Sequence, residues 1–298
     1  MSFAKILCPV DFSPGSQNAM KVAARMAGTS AELVIAHAWY LPPLAFAGEL
    51  PLPPSTIQDM IDDEHRGLEE ATREATKLGA TRVSSTFLSG AAGDRIVATL
   101  RDDPAFDLVV MGTHGRTGLK RILLGSVAEY VVRHAPCSVL ATREHGEPGR
   151  YKNILVPVDF SPSSRHAIDL AAQVVEAGGA GITLLHVIEL PVTYSGEPHM
   201  AAFLTDLDKR ATYMLEDWAS ALKSKVSVPV ATRARIGRPG GQTLALLDED
   251  PTFDLVVMGS HGRTGLSRVF LGSVAEKVVR HAQCPVLVAR PRSTPAAG

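Results

Sequence analysis

The first apolar run of the chain, AKILCPV, is short and nearly continuous, the pattern of a strand buried on both faces of a parallel sheet. The polar segment DFSPGS follows. Asp11 ends the strand, Ser13 suits a helix N-cap, and Pro14 suits the first helical position. SQNAMKVAARMAGTS then carries apolar residues at helical spacing and stops at Gly28. AELVIAHAWY reads as a second strand, and LPPLAFAGELPLPP is too rich in proline for anything but a long loop. A charged amphipathic helix is expected over STIQDMIDDEHRGLEEATREATKLG, ending at Gly79. TRVSSTFLSG alternates like a strand. AGDRIVATLRDDP reads as a short helix, FDLVVMG as a buried strand, LGSVAEYVVRHAP as a helix and CSVLATR as a last strand.

This pattern occurs twice. KILCPVDFSPGS returns as NILVPVDFSPSS, and the stretch from Phe106 to Arg143 returns from Phe253 to Arg290 with about three positions in four identical. The offset is close to half the chain, so the repeat is a duplicated domain and not a solenoid. The polar, glycine-punctuated junction EHGEPGRY sets the boundary near Gly149, giving domains 1–148 and 149–298. The ending PRSTPAAG has no periodicity and is expected to fray.

Strand and helix alternate through each half. The implied fold class is α/β: two tandem doubly wound domains, each an open five-stranded parallel sheet with helices on both faces. In such sheets ligands bind outside the carboxyl ends of strands, where the strand order reverses. An order of 3-2-1-4-5 sets strands one and four side by side. The crevice then lies between Pro9-Val10-Asp11 and Met111-Gly112.

Composition narrows the function classes. The chain has 298 residues, 45% hydrophobic and 20% charged, as in an ordinary globular protein. A formal net charge of −1 argues against a large nucleic-acid surface. No apolar run reaches the roughly 18 residues of a spanning helix, so no membrane role is expected. The start MSFAKILCPVDF lacks the length and cleavage site of a secretory signal. Cys8, Cys137 and Cys284 are isolated thiols, a usage that suits a reducing cytoplasm. Each sits in an apolar run and is expected to be buried and structural.

The candidate chemistry lies in GTHGRTGLKRILLGS. Two residues separate Gly112 from Gly115, nine more lead to Gly125, and Ser126 follows. Gly259, Gly262, Gly272 and Ser273 keep the same spacing. Glycines let backbone approach a ligand closely. The amides and dipole at the start of the helix that follows favour phosphate. Arg116, Lys120 and Arg121 add positive charge in the first loop, as do Arg263 and Arg268 in the second. Neither GxxxxGK[ST] nor GxGxxG occurs, and GSHG is not the GxSxG elbow.

The spacing G-x2-G-x9-G-[ST] resembles that of the ATP-binding universal stress proteins. The strands ending CPVDFS and VPVDFS, the second strands AHAWY and LHVIEL, and the ending CPVLVAR share the resemblance, which covers nearly the whole chain. It implies that Asp11 and Asp159 contact the adenosine moiety, with Pro9 and Pro157 two residues before them. It implies that the backbone of Ala38 and Val187 meets adenine. Met111, Gly112 and Gly115 would line the loop, and Gly125, Ser126 and Val127 would take the phosphates. Met258, Gly259, Gly262, Gly272, Ser273 and Val274 are the matching set. The resemblance also implies Mg²⁺ as companion of the phosphates, and subunit pairing through the terminal strands. A tandem chain can then form an intramolecular pseudo-dimer and pair again as a homodimer. The downstream protein partner is not legible.

Blander roles compete with these. Asp11 and Asp159 can simply cap the following helix. His114 and His261 lie in the loops without a recognisable Ser or Cys partner. His134 and His281 end helices, where a cation suits the dipole. His37 and His186 sit in buried strands as core or crevice-lining residues. The acidic run DDEHRGLEEATRE reads as a solvated helix face. His and Cys never fall into metal-ligand spacing. With no general base and no carboxylate pair in sight, an ATP-binding sensor or regulator is expected, with a slow ATPase or a nucleotide-independent scaffold as alternatives. The halves also differ: Asp94 aligns with Gly241 and Ile96 with Thr243.

Overall fold

The computed structural model describes residues 3–40, 53–113, 124–143, 149–190, 200–262 and 271–291; of 200–204 it describes the backbone alone. The proline-rich segment 41–52, Gly115 with the basic loop residues, most of the junction and the C-terminal tail lie outside the described residues. The chain divides into two compact units, Met1–Gly149 and Arg150–Pro291.

The first unit runs β1 (Lys5–Val10), α1 (Pro14–Ala27), β2 (Glu32–Trp39), α2 (Pro54–Lys77), β3 (Arg82–Ser89), α3 (Ala92–Asp102), β4 (Leu108–Gly112), α4 (Ser126–His134) and β5 (Ser138–Thr142). The second repeats this as β6 (Asn153–Val158), α5 (Pro162–Val174), β7 (Gly181–Ile188), α6 (Met200–Lys223), β8 (Val230–Ile236), α7 (Pro239–Glu249), β9 (Leu255–Gly259), α8 (Ser273–His281) and β10 (Val286–Ala289). All pairings within each unit are parallel. The orders are β3-β2-β1-β4-β5 and β8-β7-β6-β9-β10, which is the order 3-2-1-4-5 in each.

The apolar runs form the central strands because both faces of the sheet are covered. Ile6, Leu7, Leu33, Ile35 and Leu108 are fully buried, as are Ile154, Leu155, Leu184 and Leu255. Each such side chain contributes about 1.5–3 kcal/mol through loss of water contact. Pairing at the centre is uneven. β1 pairs with β2 along all of Lys5–Val10, but with β4 only at Ile6↔Leu108 and Leu7↔Val109. β6 and β9 likewise pair only at Ile154↔Leu255 and Leu155↔Val256. The two strands part toward their carboxyl ends, and the parting opens a crevice at the switch point.

Two expectations are corrected. Cys8 and Cys137 are buried, but Cys284 is only partly so. Cys137 lies against the start of β5, whereas Cys284 stands two residues before β10. The acidic run on α2 is not a wholly solvated face. Glu64 turns inward, and its Oε2 lies 3.3 Å from Nε2 of buried His37.

Candidate functional site

Each crevice is built on the turn that follows the first strand of its unit. Ser13 caps α1, its hydroxyl accepting from the Ser16 amide at 3.3 Å. Asp11 Oδ1 accepts from the Ser13 amide at 3.1 Å and from the Ser13 hydroxyl, while its own amide donates to Ser16 Oγ at 3.2 Å. The second unit repeats the turn with one exchange. Asp159 Oδ1 accepts from the Ser161 amide at 3.1 Å and from the Ser164 hydroxyl at 2.6 Å. Phe12 and Phe160 hold φ of 60° and 64°, a left-handed conformation that a bulky side chain adopts only when its surroundings enforce it. Here the enforcement is packing. Phe12 stacks on His37 with centroids 4.7 Å apart, and Phe160 meets His186 at 4.5 Å.

The two histidines fix the neighbouring strand. Nδ1 of His37 lies 2.8 Å from the Val10 carbonyl, and Nδ1 of His186 lies 2.8 Å from the Val158 carbonyl. A carbonyl only accepts, so Nδ1 donates in both. His37 is 3% exposed, and only His186 also faces its crevice.

The opposite wall comes from the glycine-rich segment. A Cβ on Gly112 would stand 2.9 Å from the Gly15 carbonyl group, and one on Gly259 would stand 2.9 Å from the Ser163 carbonyl carbon. These glycines are therefore required by the close approach of strand to helix, and not only by a ligand. Gly262 is different: a Cβ there would meet Asp159 Oδ2 at 2.9 Å, so this glycine lets the loop lie directly over the carboxylate. The loops close on themselves, with the Gly125 amide donating to the Thr113 carbonyl and the Gly272 amide to the Ser260 carbonyl, both at 2.8 Å. Thr113 and Ser260 are anchored in turn to the last strand through the Thr142 and Ala289 carbonyls, at 3.3 and 3.1 Å.

Gly125 and Gly272 are the N-caps of α4 and α8, and no side chain caps either helix. The amides of the first turn thus look into the crevice, with the positive end of the helix dipole behind them. This is an anion-binding arrangement.

The first crevice encloses about 310 Å³ and the second about 300 Å³, within the range of small-ligand sites. Pro9, Asp11, Ala38, Met111, Gly112, Gly125, Ser126 and Val127 line the first. Pro157, Asp159, Val187, Met258, Gly259, Gly262, Gly272, Ser273 and Val274 line the second. Of the candidates read from sequence, Gly115, His114 and the basic residues Arg116, Lys120, Arg121, Arg263 and Arg268 lie outside the described residues. The structure adds walls that the sequence reading had not placed there: Ser16, Ala92 and Ile96 in the first unit, and Ser164, Glu189, Pro239 and Thr243 in the second, while His261, read as a loop residue, lines the second crevice as well. Ser16 and Ser164 had a signal, the serine five places after the aspartate. Ile96 and Thr243 stood out only as a place where the halves differ, because their helices follow the third strand and reach the crevice only through the fold. Ser260 Oγ lies 2.8 Å from His261 Nδ1, which positions that ring at the mouth of the second crevice. Among the described residues no group of His, Cys, Asp or Glu could hold a metal ion.

Geometry alone thus defines a pair of doubly wound units, each with an anion-favouring crevice at its switch point. Comparison with known proteins gives the family: the profile of the universal stress protein family matches residues 2–143 and 150–290, and the chain belongs to that family. One universal stress protein of Mycobacterium tuberculosis is 29% identical over 307 aligned positions, covering 96% of both chains. Another from the same organism is 28% identical over 246, covering 80% of this chain and 76% of the relative. The crystal structure of a universal stress protein from Archaeoglobus fulgidus superposes with a TM-score of 0.67 at 20% identity, covering 97% of this chain and 99% of that one, a likeness of fold.

Proposed function

We propose that this protein binds ATP in both crevices and acts as a stress-response sensor or regulator with little or no hydrolysis. The observation that carries the reading is the double occurrence of one arrangement: a carboxylate at the end of the first strand facing an uncapped, glycine-started helix across about 300 Å³. Adenine lies on the Ala38 and Val187 side, with adenosine against Asp11 and Asp159. The phosphates lie against Gly125–Val127 and Gly272–Val274, reached by loops whose second glycines are Gly115 and Gly262. Mg²⁺, if it accompanies the nucleotide, would offset phosphate charge without a cluster of protein ligands among the described residues.

Holding is favoured over cleaving. Each aspartate already has one carboxylate oxygen engaged in bracing its turn, which leaves it poorly disposed as a general base. Among the described residues, no helix is long and apolar enough to cross a membrane. A domain boundary at Gly149 and an intramolecular pseudo-dimer of the two units complete the proposal.

Mass spectrometry of small molecules released from the purified full chain tests it. Co-purified adenine nucleotide supports the reading. Steady phosphate release on incubation with ATP favours the slow-ATPase alternative. A chain that carries no nucleotide and takes up none when ATP is added favours the scaffold.

A further inference from the structure

We propose that the two crevices differ in their preference for phosphate charge, and that the residue pair where the third and fourth helices meet sets the difference. This rests on the adenine-nucleotide reading above. Those helices are α3 and α4 in the first unit, α7 and α8 in the second. Tyr130 and Lys277 each stand four residues after the serine that opens the helix, on the same helical face.

In the first unit the Tyr130 ring lies on Gly93, where a Cβ would come within 2.9 Å of it. The Asp94 carboxylate near its hydroxyl raises the tyrosine pKa above its ordinary value. A negative charge is thereby held where α3 meets α4. In the second unit Gly240 lies under the stem of Lys277, with a Cβ 3.1 Å from Cδ. Gly241 takes the place of Asp94, and the Lys277 ammonium stands 3.9 Å from where its Cβ would be. The exchange is reciprocal: tyrosine with aspartate in one unit, lysine with glycine in the other.

Other charges run both ways: Arg101 acts on Tyr130 in the first unit, and Asp248 holds the matching place in the second. Arg95 offsets Asp94 in the first unit, its stem lying over Gly90. In the second, neutral Gln242 replaces Arg95, and Arg238 stands where the first unit has Ala91. Glu129 with Arg133 and Glu276 with Arg280 are ion pairs common to both units. Glu189, which follows β7 and lines the second crevice, is a further charge that opposes the pair. Where the helices themselves meet, the first unit presents a carboxylate and the second an ammonium, and the proposed difference rests on that pair.

A unit charge about 8 Å from a ligand charge in water-like surroundings changes affinity by roughly two- to threefold. ATP carries about two more negative charges than AMP. Each rim charge should therefore shift the ATP-to-AMP affinity ratio by about fivefold, and exchange of the pair, which moves two charges, by about thirtyfold, less at high salt.

The experiment uses the full chain with one crevice blocked, G125D or G272D, titrated with ATP and with AMP. In the G125D protein, adding G241D and K277Y should lower the ATP-to-AMP ratio of the second crevice by up to about thirtyfold. K277A, a change at an exposed position, should lower it partway. In the G272D protein, D94G with Y130K should raise the ratio of the first crevice by a similar factor. The comparison is made within each crevice because the basic residues of the two loops differ in number. Ratios unmoved by these exchanges, with both ligands still binding, would overturn the proposal and leave the nucleotide reading standing. Failure of either crevice to bind ATP or AMP in the parent chain would overturn both.

Discussion

Asp159 Oδ2 lies 2.9 Å from where a side chain on Gly262 would place its first carbon. The other carboxylate oxygen of Asp159 is occupied by the Ser161 amide and the Ser164 hydroxyl. One residue thus braces the start of a helix with one oxygen and meets the glycine-rich loop with the other. The helix-bracing role is seen directly, and the second oxygen faces the loop, where the proposed ligand role would need it.

The two roles separate by substitution. Asp159→Asn keeps an oxygen for the Ser161 amide and the Ser164 hydroxyl, so the fold should hold while ATP binding at the second crevice weakens several-fold. Asp159→Ala removes both roles and should also cost about 1 kcal/mol of stability through the lost turn bonds. Calorimetric titration beside urea denaturation distinguishes them; equal stability loss in the two variants would contradict the split.

Gly262→Ala places a methyl group against Asp159, and the loop must shift to relieve it. ATP affinity of the second crevice should fall by about tenfold, while the melting temperature moves little because the change sits at a surface crevice. Titration of the G125D background, where only that crevice remains open, checks it. Unchanged affinity would mean that the loop does not approach the carboxylate in the bound state.

Burial pushes the Cys8 thiol up to about 12, so almost none of it is thiolate at pH 8. Cys137 is buried as well, and Cys284 is partly exposed. A colorimetric thiol reagent at pH 8 should modify Cys284 first in the native chain, and all three cysteines only after denaturation. Prompt reaction of Cys8 in the folded protein would contradict the packing of β1.

Lys5 reaches Glu32 and Asp103, each at 2.9 Å. A hydrogen bond from Lys5 holds the Asp103 carboxyl below its ordinary value. A carboxylate whose pKa is depressed by folding adds stability above its unfolded pKa, and that stability is lost as pH falls through the folded value. Asp103 is 39% exposed, so the contribution is small and screened by solvent. Lys5→Met should cost under about 1 kcal/mol at pH 7 and less at pH 3, read from urea midpoints. A larger cost at pH 3 than at pH 7 would reverse the sign.

Much of this architecture was legible in the sequence. The near-continuous runs at residues 5–10 and 108–112 gave buried parallel strands, and the alternation of strand and helix gave the open parallel sheet for which the order 3-2-1-4-5 was expected. Asp11 and Asp159 line the crevices, a position legible beforehand because a strand end at a switch point is a local feature. The reasons behind Gly112 and Gly259 were not legible. Their packing against the first turn of α1 and α5 is a contact between segments far apart in the chain. The same holds for Glu64, which reads as one more acid on a charged helix until the helix is laid over β2 and meets His37. The rim residues Tyr130 and Lys277 were invisible as a pair with residues 94 and 241 for the same reason. Periodicity assigns a face to each helix but not the neighbour that the face meets.

The most direct test of the central claim is an ATP titration of the full chain beside the double variant G125D/G272D, which puts a carboxylate at both uncapped helix starts. The account predicts saturable ATP binding to the parent chain and none to the double variant, with both proteins equally folded by circular dichroism. Equal ATP affinity in the two would contradict the assignment of these helix starts as the phosphate sites.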